Sequence, residues 1–144
     1  MGQQPNSLNV RVAATLEGVP AARHAISGLC DDLGIAGELR NRIRLATTEA
    51  CTNCVLHAYG DDPGAMTYGL DAHVEIDTLV IAVRDCGIGL FRGRAARVDD
   101  GGRGISLIDL VSDSAQIWSR PGEGTRVTMR FALPGPRRPL TLAA

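Results

Sequence analysis

With 144 residues, 15 basic against 16 acidic side chains and an ordinary share of apolar residues, the chain reads as one globular domain of nearly balanced charge. No basic run is interleaved with aromatics, which argues against nucleic acid as a partner, and no apolar stretch is long enough to span a membrane. Residues 1–7 are polar without a leader pattern, so the expected location is the cytoplasm, where Cys30, Cys51, Cys54 and Cys86 would be reduced thiols.

Residues 8–14 alternate, with Leu8, Val10 and Val12 against Asn9 and Arg11, which predicts an amphipathic strand. Pro20 suits the first turn of a helix. Ile26, Leu29, Cys30 and Leu33 then form an apolar stripe at helical spacing that Gly34 ends. A longer helix is predicted over 38–59 from the recurrence of Leu39, Ile43, Ala46, Ala50 and Cys54, and the Gly-Asp-Asp-Pro-Gly run at 60–64 breaks it. Residues 66–74 alternate weakly, and 79–83 is a short apolar run of the kind found in a buried central strand. Residues 91–101 have the composition of a loop, and 105–111 a short helix opened by Gly102, Arg103 and Gly104. Two strands at 115–118 and 125–131 flank a turn at 121–124. This order predicts a two-layer α/β (α+β) sandwich, a mixed sheet with helices on one face, spanning 8–133 between flexible ends at 1–7 and 134–144.

Cys51, Cys54 and His57 have a spacing that could suit a metal, but they fall within one predicted helix and no second ligand pair follows. Small residues filling a helix–sheet interface is the favoured reading.

Glu49 and Asn53 lie four apart on the long helix and share a face, which His57 continues. A carboxylate there can take a proton from an attacking hydroxyl, and an amide oxygen can ligate Mg²⁺; the plain alternative is a solvated helix face. Asp85, Gly87 and Gly89 follow the apolar strand. An aspartate at a strand end can accept a hydrogen bond from the exocyclic amine of adenine, and glycines let backbone pass close to a flat base; the alternative is an ordinary turn. Gly101, Gly102, Arg103 and Gly104 open a helix whose first amides could bind an anion, or else form a flexible linker. They lack the ending of a Walker loop, and the first strand lacks a Rossmann fingerprint. Gly122, Gly124 and Thr125 precede the last strand, where the Thr125 hydroxyl could reach the adenine region or Asp85, or simply follow a hairpin turn.

Taken in order, these four motifs match the series of the Bergerat-fold (GHKL-type) ATPases, and the chain resembles the bacterial anti-sigma factor serine/threonine kinases over residues 8–131. Residues 48–59 (TEACTNCVLHAY) are similar to the N-box helix of that family, 83–90 (VRDCGIGL) to its first glycine box and 101–108 (GGRGISLI) to its second. The resemblance implies ATP and Mg²⁺ as cofactors, with Asn53 as the metal ligand and Glu49 as the general base. It assigns Asp85 to the adenine amine, Gly87, Gly89 and Thr125 to the base pocket, and Gly102 and Gly104 to the phosphates. Arg103 stands where an apolar residue is more typical, and either contacts phosphate or points to solvent. Residues 91–101 become a lid, here short and rich in arginine at Arg92, Arg94 and Arg97. Arg23 stands where the first helix of such kinases carries an arginine that touches protein partners. The implied partners are a small anti-sigma factor antagonist with an acceptor Ser or Thr, a sigma factor and a second copy in a homodimer. The alternative function is a catalytically weak, ATP-gated regulatory binding module of the same fold.

Overall fold

The alternation at the start of the chain becomes strand β1 (Ser7–Ala13), followed by helices α1 (Gly18–Asp32) and α2 (Gly37–Asn53). The structure, a computed structural model, describes residues 6–58, 66–85, 102–120 and 122–135. A π-helical turn, Cys54–Ala58, extends α2. Strands β2 (Thr67–Glu75) and β3 (Thr78–Asp85), helix α3 (Gly102–Val111), and strands β4 (Ser114–Arg120) and β5 (Gly124–Ala132) complete the order.

Two glycines set the frame of α1. Gly34 ends it in the left-handed region, at φ 69°; its N–H bonds the Asp31 carbonyl while the Ile35 N–H bonds that of Cys30. This is the Schellman arrangement, and Ile35 is buried just beyond it. Gly18 begins the helix where it crosses the end of β1, and a Cβ there would overlap the Ala13 carbonyl oxygen. Gly18→Ala should therefore destabilise the fold by about 1–3 kcal/mol, the usual range for overpacking a tight site. Urea unfolding of the two proteins checks this; an unchanged midpoint would mean that β1 and α1 separate freely.

The sheet order is β1-β2-β3-β5-β4, and every described pairing is antiparallel. The expected mixed sheet is corrected on this point. β3, α3 and β4 follow one another as in a parallel crossover unit, but β5 inserts between β3 and β4 and runs against both. At the other edge, two helices in succession separate β1 from β2, so the chain returns against β1 rather than along it.

One sheet face is covered. Leu70, Leu79, Ile81, Met129 and Phe131 point inward with no exposed surface, against Ile26 of α1 and Ile43, Ala46 and Ala50 of α2. α2 lies over β3 and β5, α1 packs on α2 and β1, and α3 packs on α2 and β4. The other face is open and charged. Its cross-strand pairs include Arg84 with Asp71 at 2.9 Å and Arg130 with Glu75 at 3.3 Å. The two-layer sandwich with helices on one face is as expected from the order of elements, and Trp118, the sole tryptophan, stays 47% exposed.

Candidate functional site

The alternation that sends Leu79, Ile81 and Val83 inward also carries Asp85, the last residue of β3, to the inner face. Register places Asp85 opposite Thr125 of β5, and Thr125 opposite Ser119 of β4. Asp85 is 7% and Thr125 4% exposed. The Thr125 N–H donates to Asp85 Oδ1 at 3.2 Å, and the Ser119 and Thr125 hydroxyls share a bond at 3.0 Å. From the helix layer, the Cys54 thiol donates to Asp85 Oδ2 at 3.6 Å. A cleft of about 280 Å³ reaches this strand end, lined by Asp85, Thr125, Trp118 and Arg126 among others. Asp85 and Thr125 are both legible in the sequence; Ser119 and Cys54 are not. Ser119 could have been found by counting back from the 121–124 turn, whereas the sequence offers Cys54 only as a small filler or as part of a metal-like spacing with Cys51 and His57, neither of which points to Asp85.

On α2, Glu49 and Asn53 fall within one continuous helix and one turn apart, so they share a face as expected. The expected helix to residue 59 is not α-helical throughout: after Asn53 it widens into the π turn, a feature frequent at functional sites. Asn53 is 8% exposed, and its Nδ2 finds no hydrogen-bond partner among the described residues. Amide oxygen and nitrogen are interchangeable by a flip, so this buried orphan can equally present an oxygen, the donor type a hard cation takes. That one oxygen is compatible with a magnesium ion that takes its other ligands from nucleotide phosphates and water, since no cluster of three His, Cys, Asp or Glu side chains suited to a metal lies among the described residues. The half-buried Glu49 carboxylate makes no hydrogen bond or ion pair among the described residues. α3 begins at Gly102, three residues earlier than read from sequence, so Gly102, Arg103 and Gly104 form its first turn. First-turn amides have no intrahelical acceptor and attract anions. Gly87, Gly89 and the 91–101 segment lie outside the described residues.

Burial, then the negative charges of Asp85 and Cys51, push the Cys54 thiol far above its ordinary value. It therefore stays protonated and remains a donor to Asp85. Its neighbour Cys51 is pushed up to about 11 by burial, against a weaker pull from the Tyr68 hydroxyl. That hydroxyl is buried too, and its contact with Cys51 falls short of a well-formed hydrogen bond. The sign is fixed: folding holds the Cys51 proton more tightly than the unfolded chain does. Its contribution is complete below the ordinary thiol value of 9.0 and is lost as pH rises towards 11. The denaturant midpoint should hold from about pH 7 to 8.5, then fall above about pH 9, and Cys51→Ala should shallow that fall. An unchanged slope in the variant would remove Cys51 from the account.

Arg23 of α1 lies apart from the strand end. Its Nε donates to Thr48 Oγ1 at 3.2 Å, and Thr48 immediately precedes Glu49. Arg23 lines a cleft of about 300 Å³ with Asn41, Arg44, Leu45 and Thr48, and the Nε of Arg44 is buried without a partner among the described residues. A larger concavity, about 680 Å³, lies on the open sheet face. It contains none of the sequence-predicted residues, and most of its charges already pair with one another.

The histidine kinase-like ATPase domain family matches residues 12–131. The serine-protein kinase RsbW of Halalkalibacterium halodurans is 33% identical over 127 residues, covering 79% of this chain and 76% of its own. The anti-sigma F factor of Pasteuria penetrans is 28% identical over 133 residues, covering 86% and 89%. Among solved structures, the RsbU and RsbW domains of a Mycobacterium tuberculosis protein superpose with a TM-score of 0.69 at 19% identity, covering 90% of this chain and 33% of that one. The histidine kinase domain of a blue-light-activated kinase from Erythrobacter litoralis gives 0.60 at 20% identity, covering 83% and 64%. At such identities the two structures speak for the fold, while the family match and the sequence relatives speak for descent. The chain belongs to the histidine kinase-like ATPase family, among its ATP-using anti-sigma factor serine kinases.

Proposed function

We propose that this protein binds Mg²⁺-ATP, phosphorylates a Ser or Thr on a small anti-sigma factor antagonist, and in its other state holds a sigma factor inactive. The observation that carries this reading is the buried Asp85 carboxylate, fixed at the strand end by the Thr125 amide and facing the same layer as α2. Asp85 accepts the adenine amine, and Gly87, Gly89 and Thr125 line the base. The first-turn amides of α3, at Gly102 to Gly104, cradle phosphate oxygens, and Arg103 adds a positive charge to that turn. Asn53 holds the metal, which when bound neutralises phosphate charge. Glu49, on the same rigid helix, takes the proton of the attacking hydroxyl. Phosphoryl transfer is chiefly positioning and electrostatics, so these few groups suffice.

The names of the relatives support the choice of partners, and the cationic cleft of Arg23 and Arg44 beside Thr48 supports a docking point next to the base. Family habit further suggests a homodimer working in the cytoplasm. The deciding experiment mixes the protein with γ-labelled ATP and candidate antagonist domains. Label on an antagonist Ser or Thr is the expected result. ATP-dependent capture of a partner without transfer would favour a regulatory binding module, and absence of ATP binding would overturn both.

Asn53→Ala should weaken Mg²⁺-ATP far more than ATP measured in chelator, because the lost group acts through the metal. Calorimetric titrations with and without Mg²⁺ read the difference. Equal losses would mean that Asn53 touches the nucleotide directly or not at all.

A further inference from the structure

We propose that Cys54 is a positioning residue for the base-reading carboxylate: its thiol locks the rotation of Asp85 and so sharpens the preference for adenine. This rests on the reading of Asp85 given above. The carboxylate is clamped from two layers. The β5 backbone holds Oδ1 through the Thr125 N–H at 3.2 Å, and Cys54 meets Oδ2 at 3.6 Å from the end of α2. Turning the carboxylate about its Cβ–Cγ bond would break both contacts together. An ionised carboxylate offers about four lone-pair sites, so one held at both oxygens can still accept a purine amine in a fixed direction.

Cys54 is well placed for this task. It is 5% exposed, and its backbone N–H is bonded to the Ala50 and Cys51 carbonyls, so the thiol projects from an ordered helical end. A ligand at this place is indicated independently by the preceding residue: Asn53 is more than nine-tenths buried, with an amide nitrogen that has no partner among the described residues. The junction of α2 with its π turn thus carries, in two successive residues, a group suited to the phosphate end and a group that orients the adenine end.

Calorimetric titration with ATP and with GTP tests this in the whole chain, using Cys54→Ala, Cys54→Ser and each change combined with Asp85→Asn. A weak donor contributes at the low end of the hydrogen-bond range, so Cys54→Ala should weaken ATP about three- to tenfold and leave GTP unchanged. Cys54→Ser keeps a donor and should stay within about twofold of the natural protein. In the Asp85→Asn background, Cys54→Ala should add nothing further. Melting curves run alongside show that each variant is folded; if serine is not tolerated in the buried site, alanine still gives the ratio. An equal fall for both nucleotides means a merely structural cysteine, and an unchanged ATP affinity means no positioning; either overturns the inference. Natural protein that binds GTP as tightly as ATP overturns the Asp85 reading itself, a failure visible before any Cys54 variant is made.

Discussion

Glu49→Ala should retain ATP binding close to that of the natural protein and lose phosphotransfer by about a hundredfold or more, since general-base catalysis by a positioned side chain typically contributes roughly 10²–10⁴-fold. Glu49 has the surroundings such a group needs. It sits in the interior of α2, a helix packed against the sheet and both other helices, so its backbone is fixed. Its carboxylate is half-buried, and no described residue engages it in a hydrogen bond or ion pair. None of them therefore competes with an incoming hydroxyl for its lone pairs. It also lies one turn from Asn53, which places the proton acceptor beside the proposed metal position. Glu49→Gln is the sharper control, since it keeps size and polarity but cannot accept the proton. Single-turnover transfer to the cognate antagonist, with ATP affinity measured in parallel, reads the two effects apart. Transfer at the natural rate by either variant would exclude Glu49 as the base.

ATP should bind at least about tenfold more tightly than GTP, and Asp85→Asn should erode both the affinity and the preference. With both carboxylate oxygens held, Asp85 offers only acceptors to the base. The adenine amine satisfies one. The guanine carbonyl would set acceptor against acceptor in a buried place, a mismatch of on the order of 1–3 kcal/mol, and about 1.4 kcal/mol is one decade. The amide introduced by Asp85→Asn would keep an oxygen for the Thr125 N–H, so the β3–β5 register should survive and the loss should be confined to the nucleotide. A variant that binds ATP normally, or that unfolds with its affinity, would remove Asp85 from base recognition.

Much of this was legible in the sequence because it is local. Gly34 ends α1 because the left-handed turn there is cheap only for glycine. The two-residue period of a strand puts Asp85 on the same face of β3 as Leu79, Ile81 and Val83, although the continuous apolar run does not itself say which face is inward. Glu49 and Asn53 share a face by helix geometry, whatever the rest of the chain does. Backbone sterics and periodicity act within one element, so one sequence suffices to read them, and the motif series they carry identifies the family.

What the tertiary structure alone decided is everything that joins elements distant in the chain. The expected mixed sheet is antiparallel because β5, which buries Val127, Met129 and Phe131, lies between β3 and β4 and runs against both. The chain Ser119–Thr125–Asp85–Cys54 draws on β4, β5, β3 and the end of α2. Cys54 read as a small filler, and its burial agrees with that, but its meeting with Asp85 depends on how α2 seats on the sheet. Arg23 likewise acquired its Thr48 partner only through the packing of α1 on α2. Such contacts are selected by which apolar faces can be buried together, a condition on the whole molecule that no local pattern records.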